Sequence, residues 1–246
     1  LFSLSDTGVL VYRIGTSTGS PQGLARSTLA WFDRTGHAAG TVGDPQNYGE
    51  LALSPDGSRV AAFRGDAVGQ DLWFIDIARG AAARLTTDPG NESYPVWSPD
   101  GKQIAFGSDR KGSFDLWVYD LATGKSRQLT SLPGAEMRPA WSPDGRLIAY
   151  DDCYGSYSET VELLALATGK VRALKPAGDS PGSPSWSPDG RLLMVSRLAN
   201  FSSSQSYYLG GENQIRIVPV DGGPARDVTL DPDQSVGDRS GDGPVW

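Results

Sequence analysis

The residue types that usually carry enzymatic chemistry are scarce in this chain. His37 is the single histidine and Cys153 the single cysteine, so a Ser-His-Asp triad or a Cys/His metal cluster is hard to assemble. The segment GTSTG at 15–19 matches the nucleophile motif G-x-S-x-G, but no helical pattern follows it, as that motif requires. We expect His37 on a surface turn, Cys153 as a bystander thiol on a loop, no catalytic residue and no cofactor.

Two segments towards the C-terminal end carry side chains suited to recognition. Segment 199–211, ANFSSSQSYYLGG, presents Tyr207 and Tyr208, and tyrosine supplies amphipathic contact area at interfaces. This segment is either a loop whose tyrosines contact a partner, or a polar insertion whose aromatic rings pack back onto the domain. Segment 230–243 contains Arg239 and four acidic residues that are candidate calcium ligands: Asp231, Asp233, Asp238 and Asp242. Because their spacing departs from the EF-hand template, we predict a solvated acidic turn and no metal.

The elements that position these residues follow from an internal repeat. The tetrad SPDG begins at residues 54, 98, 142 and 187, at offsets of 44, 44 and 45 residues, and a weaker copy, SDTG, begins at Ser5. Trp97, Trp141 and Trp186 directly precede three of the tetrads. Self-similarity at such a period is typical of solenoids, propellers and arrays.

Local chemistry predicts four short strands in each repeat. Apolar and aromatic runs such as RLIAY at 146–150 and DLWVYD at 115–120 alternate with Gly and Pro turns, which is the pattern of strands. SPDG suits a type I turn, because Pro sets φ at its second position and Gly relaxes its fourth. Four strands per repeat without helices predict an all-β fold, a β-propeller of four-stranded antiparallel blades. We name the strands A to D, with SPDG joining A to B, and expect the tryptophans to fill the wedges between blades.

The whole chain, 1–246, is predicted to be a single propeller domain. Five complete repeats span about 5–53, 54–97, 98–141, 142–186 and 187–246. They form a ring of five or six blades, or a fragment of a larger ring.

The repeat brings one set of polar residues to equivalent positions. The third residue before each Trp or Leu that flanks a tetrad is expected where strand A meets the loop face, beside a central channel. These residues are Glu50, Tyr94, Arg138, Ser183 and Gly243. They form either a site for a small ligand or a partner's side chain, or a solvated channel entrance. The B–C and D–A loops on this face are longer and more varied than the turns opposite, so we assign any binding to this face, including Tyr207, Tyr208 and Arg239.

Charge and hydropathy narrow the class of partner. Lys and Arg number 22 against 29 for Asp and Glu, a net charge of −7, whereas nucleic acids and anionic membranes select a basic surface. No apolar run approaches the roughly 18 residues of a membrane span. We therefore expect a protein or peptide partner, no nucleic acid and no membrane span.

Several motifs resemble one family of bacterial repeats. WSPDG followed by QIAF, SDR at Ser108–Arg110 and the run DLWVYDLATGK are similar to TolB-type propeller repeats. The resemblance implies a periplasmic or extracellular propeller that binds proteins, or one fused to an amidohydrolase, a prolyl-oligopeptidase-like peptidase or a bacterial protein kinase. We expect a non-catalytic protein-interaction or substrate-gating module of a larger bacterial protein. The alternatives are the propeller of a hydrolase whose catalytic domain lies outside this chain, and a sugar- or metal-binding propeller.

Overall fold

The computed structural model describes residues 2–4, 10–15, 26–33, 35–65, 69–154, 157–174, 181–198 and 213–228. Within these ranges the chain forms β-strands and no helix, and thus no helix that could span a membrane. In chain order the strands are β1 (Phe2–Leu4), β2 (Leu10–Gly15), β3 (Ser27–Phe32), β4 (Ala38–Gln46), β5 (Tyr48–Leu53), β6 (Arg59–Gly65), β7 (Gln70–Asp76), β8 (Ala82–Arg84), β9 (Glu92–Trp97), β10 (Gln103–Ser108), β11 (Asp115–Asp120), β12 (Lys125–Gln128), β13 (Ala135–Trp141), β14 (Leu147–Tyr154), β15 (Tyr157–Ala165), β16 (Lys170–Leu174), β17 (Pro181–Trp186), β18 (Leu192–Leu198), β19 (Asn213–Pro219) and β20 (Arg226–Val228).

Each run of four consecutive strands forms one antiparallel sheet. We number the sheets 1 to 5, from β1–β4 to β17–β20, and in each of them every strand pairs with the next strand along the chain. This order follows from the short connections, because antiparallel neighbours can be joined by tight turns whereas parallel ones need long crossovers. The described residues confirm the predicted all-β fold of four-stranded propeller blades, with five such sheets.

The SPDG turn between the first two strands has the same geometry in sheets 2 to 5. In sheet 3, the Ser98 hydroxyl donates to Asp100 Oδ1 at 2.7 Å and accepts the backbone N–H of Gln103 at 2.9 Å. The Ser98 hydroxyl is the main cause of the lowered pKa of Asp100. Gly101 has a φ of +67°, which favours glycine because it has no Cβ to clash. The polar side chains of the tetrad are therefore used within the turn.

The chain contains two compact units, residues 1–131 with sheets 1 to 3 and residues 132–246 with sheets 4 and 5. The single domain predicted over 1–246 stays a prediction. In the first unit, Trp97 is 6% exposed and belongs to one core cluster with Leu72 of sheet 2 and Ile104 of sheet 3. Its Nε1 donates to the carbonyl of Ala52 at 2.9 Å. The indole thus joins sheet 3 to sheet 2 by apolar packing and by one directed hydrogen bond.

The second unit repeats this arrangement between sheets 4 and 5. Trp186 is 8% exposed and packs with Leu163 of sheet 4 and Val195 of sheet 5. Its Nε1 donates to the carbonyl of Ala140 at 3.0 Å. The predicted placement of the repeat tryptophans between neighbouring sheets is confirmed for Trp97 and Trp186.

One residue differs from its predicted position. Cys153 was expected on a loop, but it lies in β14, opposite Ala135 of β13, and is 6% exposed. The reason is that the second and third strands of sheet 4 have eight and nine residues, against six each in sheet 3. The longer hairpin carries Cys153 inside the ladder.

We predict that Trp97→Ala lowers the free energy of unfolding by about 3–5 kcal/mol, because it removes a buried aromatic side chain and leaves a cavity. Trp97→Phe should cost less, since a six-membered ring remains and the loss is limited to the pyrrole part of the indole and its hydrogen bond to Ala52. Urea unfolding monitored by circular dichroism measures both. Lys102→Ala, at an exposed position of the turn, is the control and should stay within about 0.5 kcal/mol. Equal midpoints for Trp97→Ala and Lys102→Ala would contradict the packing.

Candidate functional site

Four sheets carry a β-bulge on the first strand, at the positions that the repeat alignment singled out. The pairing between first and second strands shifts at residues 48–51, 93–96, 137–140 and 182–185. In each case the first strand contains one extra residue, which is the definition of a bulge. Glu50, Tyr94, Arg138 and Ser183 lie within these bulges.

Three of these residues adopt a backbone conformation that costs energy. Tyr94, Arg138 and Ser183 have φ of +53°, +51° and +51°, and each is followed by proline. For a residue with a Cβ this left-handed conformation costs roughly 1–2 kcal/mol, and such strain concentrates at functional sites. Glu50, which is followed by Leu51, does not share the positive φ.

A buried carboxylate connects two of the bulges within the second unit. Asp151 lies on β14 and is 0% exposed. Its Oδ2 accepts hydrogen bonds from Arg138 Nη1 at 3.1 Å and from the backbone N–H of Ser183 at 3.0 Å. The side chain of Arg138 is 28% exposed. Asp151 therefore holds the guanidinium in place and ties the bulge of sheet 4 to that of sheet 5.

Burial governs the protonation of this carboxyl. The loss of water around Asp151 raises its pKa to about 6, while the charge of Arg138 and the N–H of Ser183 act in the opposite direction. The other carboxylate oxygen, Oδ1, is buried and has no hydrogen-bond partner in the described part of the chain. Desolvation outweighs the ion pair, so the ionised form of Asp151 is maintained at a cost.

Sheet 4 alone among sheets 2 to 5 has an acid at this position. In sheets 2, 3 and 5 the equivalent residues are Phe63, Gly107 and Ser196. In sheet 2 the Phe63 ring packs so closely on Gly49 that a Cβ there would meet its Cζ at 1.6 Å. The apolar contact in sheet 2 and the ion pair in sheet 4 occupy the same place in the repeat.

A second buried carboxylate joins sheets 2 and 3 in the first unit. Glu92 is 0% exposed, and it accepts hydrogen bonds from Thr86 at 3.0 Å, Ser108 at 3.2 Å and Arg110 at 2.9 Å. Burial raises its pKa, and the bond from Thr86 is the largest opposing effect. Both of its oxygens are occupied, so Glu92 serves the packing of the two sheets.

The predicted binding residues fall into three groups. Glu50 and Tyr94 lie at bulges of the first unit, and Arg138 lies at a bulge of the second, beside Ser183. Four further binding candidates lie outside the described residues: Tyr207, Tyr208, Arg239 and Gly243. The same holds for the four candidate calcium ligands, Asp231, Asp233, Asp238 and Asp242. Sequence reasoning missed Asp151, although its signal was visible as an acidic pair interrupting the apolar run LIAYDD at 147–152.

The single histidine lies on an exposed turn. Asp33 Oδ1 accepts the backbone N–H groups of Thr35 and His37, and the Thr35 hydroxyl lies 2.6 Å from His37 Nδ1. These contacts close the turn between β3 and β4. Across the ranges that the structure describes, no group of three or more His, Cys, Asp or Glu side chains is arranged to hold a metal ion.

We predict that Ser183→Gly stabilises the protein by up to about 1 kcal/mol, because glycine removes the left-handed strain at a limited entropic cost in the unfolded chain. The matched control is Ser185→Gly on the same strand, where φ is not positive. That change should destabilise by about 0.5–1 kcal/mol. Urea unfolding measures both, and destabilisation of equal size in the two variants would contradict the strain.

We predict that Asp151→Asn changes the pH dependence of stability. With a folded pKa of about 6, above the ordinary value of 3.8, Asp151 takes up a proton in the folded state before it does so in the unfolded state. The stability that the neutral carboxyl contributes is fully present below the pKa of the unfolded state, and it is lost as the pH rises through the folded pKa of about 6. Relative to the variant, the free energy of unfolding of the wild type should rise by about 2.5 kcal/mol between pH 7.5 and pH 4.

Urea unfolding at four pH values measures this difference. Asp144→Asn is the control with the opposite sign, since Ser142 lowers the pKa of Asp144 and its contribution is lost as pH falls. A difference between wild type and Asp151→Asn that does not vary with pH would refute the assignment.

Comparisons with known proteins agree with this architecture. The family model described as TolB beta propeller domain matches residues 35–223. TolB from Acinetobacter baumannii has a similar structure, with a TM-score of 0.73 and 24% identity over 100% of this chain and 56% of that one. A protein described as a TolB from Agrobacterium tumefaciens gives a TM-score of 0.71 and 19% identity, over 92% of this chain and 78% of that one.

An enzyme also shares the fold. Puromycin hydrolase gives a TM-score of 0.69 and 17% identity, over 94% of this chain and 39% of that one. No curated protein matches the sequence. By the coverages given above, this chain spans about half of the first TolB structure and a smaller part of the hydrolase. Because the family model covers most of its length, the chain belongs to the TolB beta propeller domain family.

Proposed function

We propose that this chain is a non-catalytic propeller module that binds a protein or peptide partner, as an interaction or substrate-gating part of a larger bacterial protein. The face proposed for binding is the one that carries the first-strand bulges and the B–C and D–A loops. The observation that carries the proposal is the state of Arg138. Its guanidinium is partly exposed, while its backbone is strained and its Nη1 is held by a buried carboxylate.

An arginine in this state suits recognition better than packing. Holding the side chain in one geometry before a partner arrives reduces the entropy lost on binding. The guanidinium has five N–H donors, and arginine is enriched at binding hot spots. A group of the partner that can accept hydrogen bonds, such as a carboxylate or a backbone carbonyl, is the chemistry that supports this assignment.

The opposite face offers less for recognition. Its SPDG turns use the serine hydroxyl and the aspartate carboxylate for their own hydrogen bonds, as at Ser142 and Asp144. Side chains committed in this way are not available to a partner. We therefore assign recognition to the other face.

We predict that binding depends on Arg138. The test selects peptides from a random display library on the immobilised wild-type chain and measures their affinities by calorimetry. The double variant Arg138→Met/Asp151→Asn removes both charges together, so no unpaired charge is buried, and Asn can still accept the N–H of Ser183. Selected peptides should bind this variant at least about tenfold more weakly, or about 1.4 kcal/mol.

Arg146→Met is the matched control, because Arg146 is 85% exposed on an SPDG turn. It should bind the selected peptides as the wild type does, and all three proteins should show cooperative unfolding. A selection in which every peptide binds the double variant with wild-type affinity, or a loss of affinity for Arg146→Met, would contradict the proposed face.

The similarity to puromycin hydrolase supports a second candidate. On this alternative the chain is the propeller of a hydrolase whose catalytic residues lie outside it, as the coverage of 39% of that chain suggests. Both candidates expect no turnover of aminoacyl p-nitroanilides or p-nitrophenyl esters by this chain alone. Turnover that His37→Ala or Ser17→Ala abolished would contradict both.

A further inference from the structure

A cleft of about 430 Å³ lies beside sheet 3 in the first unit. Asp88 and Pro89 line it from the segment before β9, Arg110 and Lys111 from the segment between β10 and β11, Trp117 from β11 and Lys125 from β12. Its volume is in the range of small-molecule and side-chain pockets. None of these residues takes part in the site around Arg138.

The charge of Arg110 is already compensated. Its Nη1 donates to Asp88 Oδ2 at 2.6 Å and its Nη2 to Glu92 Oε1 at 2.9 Å. The guanidinium also lies 4.4 Å from the centre of the Trp117 ring, in a cation–π contact. Arg110 and Asp88 therefore form the wall of the cleft and leave little net charge to a ligand.

The two lysines of the cleft are not compensated in this way. Lys111 donates to the neutral amide oxygen of Gln128 at 3.0 Å, which leaves two of its three N–H donors. In the part of the chain that the structure describes, neither Lys111 nor Lys125 is ion-paired with a carboxylate. Two such ammonium groups in one cleft stand out in a chain whose net charge is −7.

Trp117 forms an apolar wall of the cleft. The side chain is 7% exposed, and its Nε1 is buried without a hydrogen-bond partner among the described residues. Buried indole N–H groups usually have a partner. The lysine ammonium groups are the uncommitted donors that line the cleft, and a ligand that supplies acceptor oxygens complements them.

The repeat shows that the blade architecture does not require these lysines. In sheet 2, Trp73 occupies the place of Trp117, and an arginine again stacks on the ring, with Arg64 3.9 Å from its centre. The positions equivalent to Lys111 and Lys125 are Ala67 and Ala81. The arginine-on-tryptophan contact therefore serves the fold, whereas sheet 2 has neither lysine and sheet 4 repeats Lys125 as Lys170.

We propose that this cleft binds the carboxylate side chains of an acidic peptide segment, with Lys111 and Lys125 as its cationic contacts. A peptide is the favoured source because the cleft extends onto β12, the strand at the edge of sheet 3, which among the described strands pairs with β11 alone. An edge strand presents unpaired backbone groups beside which another chain can lie. None of the cleft residues belongs to the site around Arg138, so the proposal goes beyond the function proposed above and fails or succeeds independently of it.

The experiment titrates the ¹⁵N-labelled chain and follows the indole signal of Trp117 by NMR, assigned with Trp117→Phe. The probes are acetyl-Gly-Glu-Glu-Gly-amide, the same peptide with Gln for Glu, and sodium acetate, in 150 mM salt to screen long-range attraction. The glutamate peptide should bind at least about tenfold more tightly than the glutamine peptide.

Two lysine variants complete the design. Lys111→Met/Lys125→Met should weaken the glutamate peptide at least about tenfold, whereas Lys170→Met, at the position in sheet 4 equivalent to Lys125, should leave its affinity unchanged. Urea midpoints within error of the wild type show that each variant is folded. Equal affinity for the two peptides, or wild-type affinity in the double variant, would overturn the proposal. Acetate binding as tight as the peptide would show a site for small carboxylates and overturn the peptide assignment.

Discussion

Within each compact unit, one pair of neighbouring sheets is joined by the tryptophan that ends a first strand: Trp97 joins sheets 2 and 3, and Trp186 joins sheets 4 and 5. Trp97 and Trp186 bury their rings against the preceding sheet and donate Nε1 to a carbonyl on its first strand. The apolar area gives the contact its strength, and the hydrogen bond gives it direction. A single four-stranded sheet buries only part of its apolar surface, so each sheet depends on this contact with its neighbour.

The bulge three residues before the tryptophan is constrained by that anchor. The left-handed backbone at Ser183 and the charge of Asp151 are both unfavourable in isolation, and both persist because the surrounding sheets are packed. The N–H of Ser183 and the guanidinium of Arg138 then meet on one oxygen of Asp151. Strain, burial and charge are concentrated at one point of the second unit, which is why it is the candidate site.

The same wedge between sheets is filled in different ways along the chain. Between sheets 2 and 3, Glu92 is saturated by Thr86, Ser108 and Arg110, and Arg110 also covers Trp117. Near the bulge, sheet 2 uses a phenylalanine against glycine where sheet 4 uses an aspartate. Glu92 and Phe63 satisfy the requirement that buried polar groups find partners or be replaced by apolar ones, whereas Asp151 leaves Oδ1 without a hydrogen-bond partner among the described residues. Variation at these positions leaves the four-stranded sheets unchanged.

The sequence by itself determined the sheets and their turns, because these depend on local chemistry. The SPDG tetrad closes its own turn, alternating apolar runs specify strands, and the 44-residue spacing repeats both. It also brought Glu50, Tyr94, Arg138 and Ser183 to equivalent positions, since register follows from the repeat. Only the tertiary structure decided that Arg138 and Ser183 share Asp151, that Cys153 lies in a strand, and that Lys111 and Lys125 line one cleft. Those features join residues from different strands or sheets, and the burial and the register that bring them together arise only when the strands pair and the sheets pack.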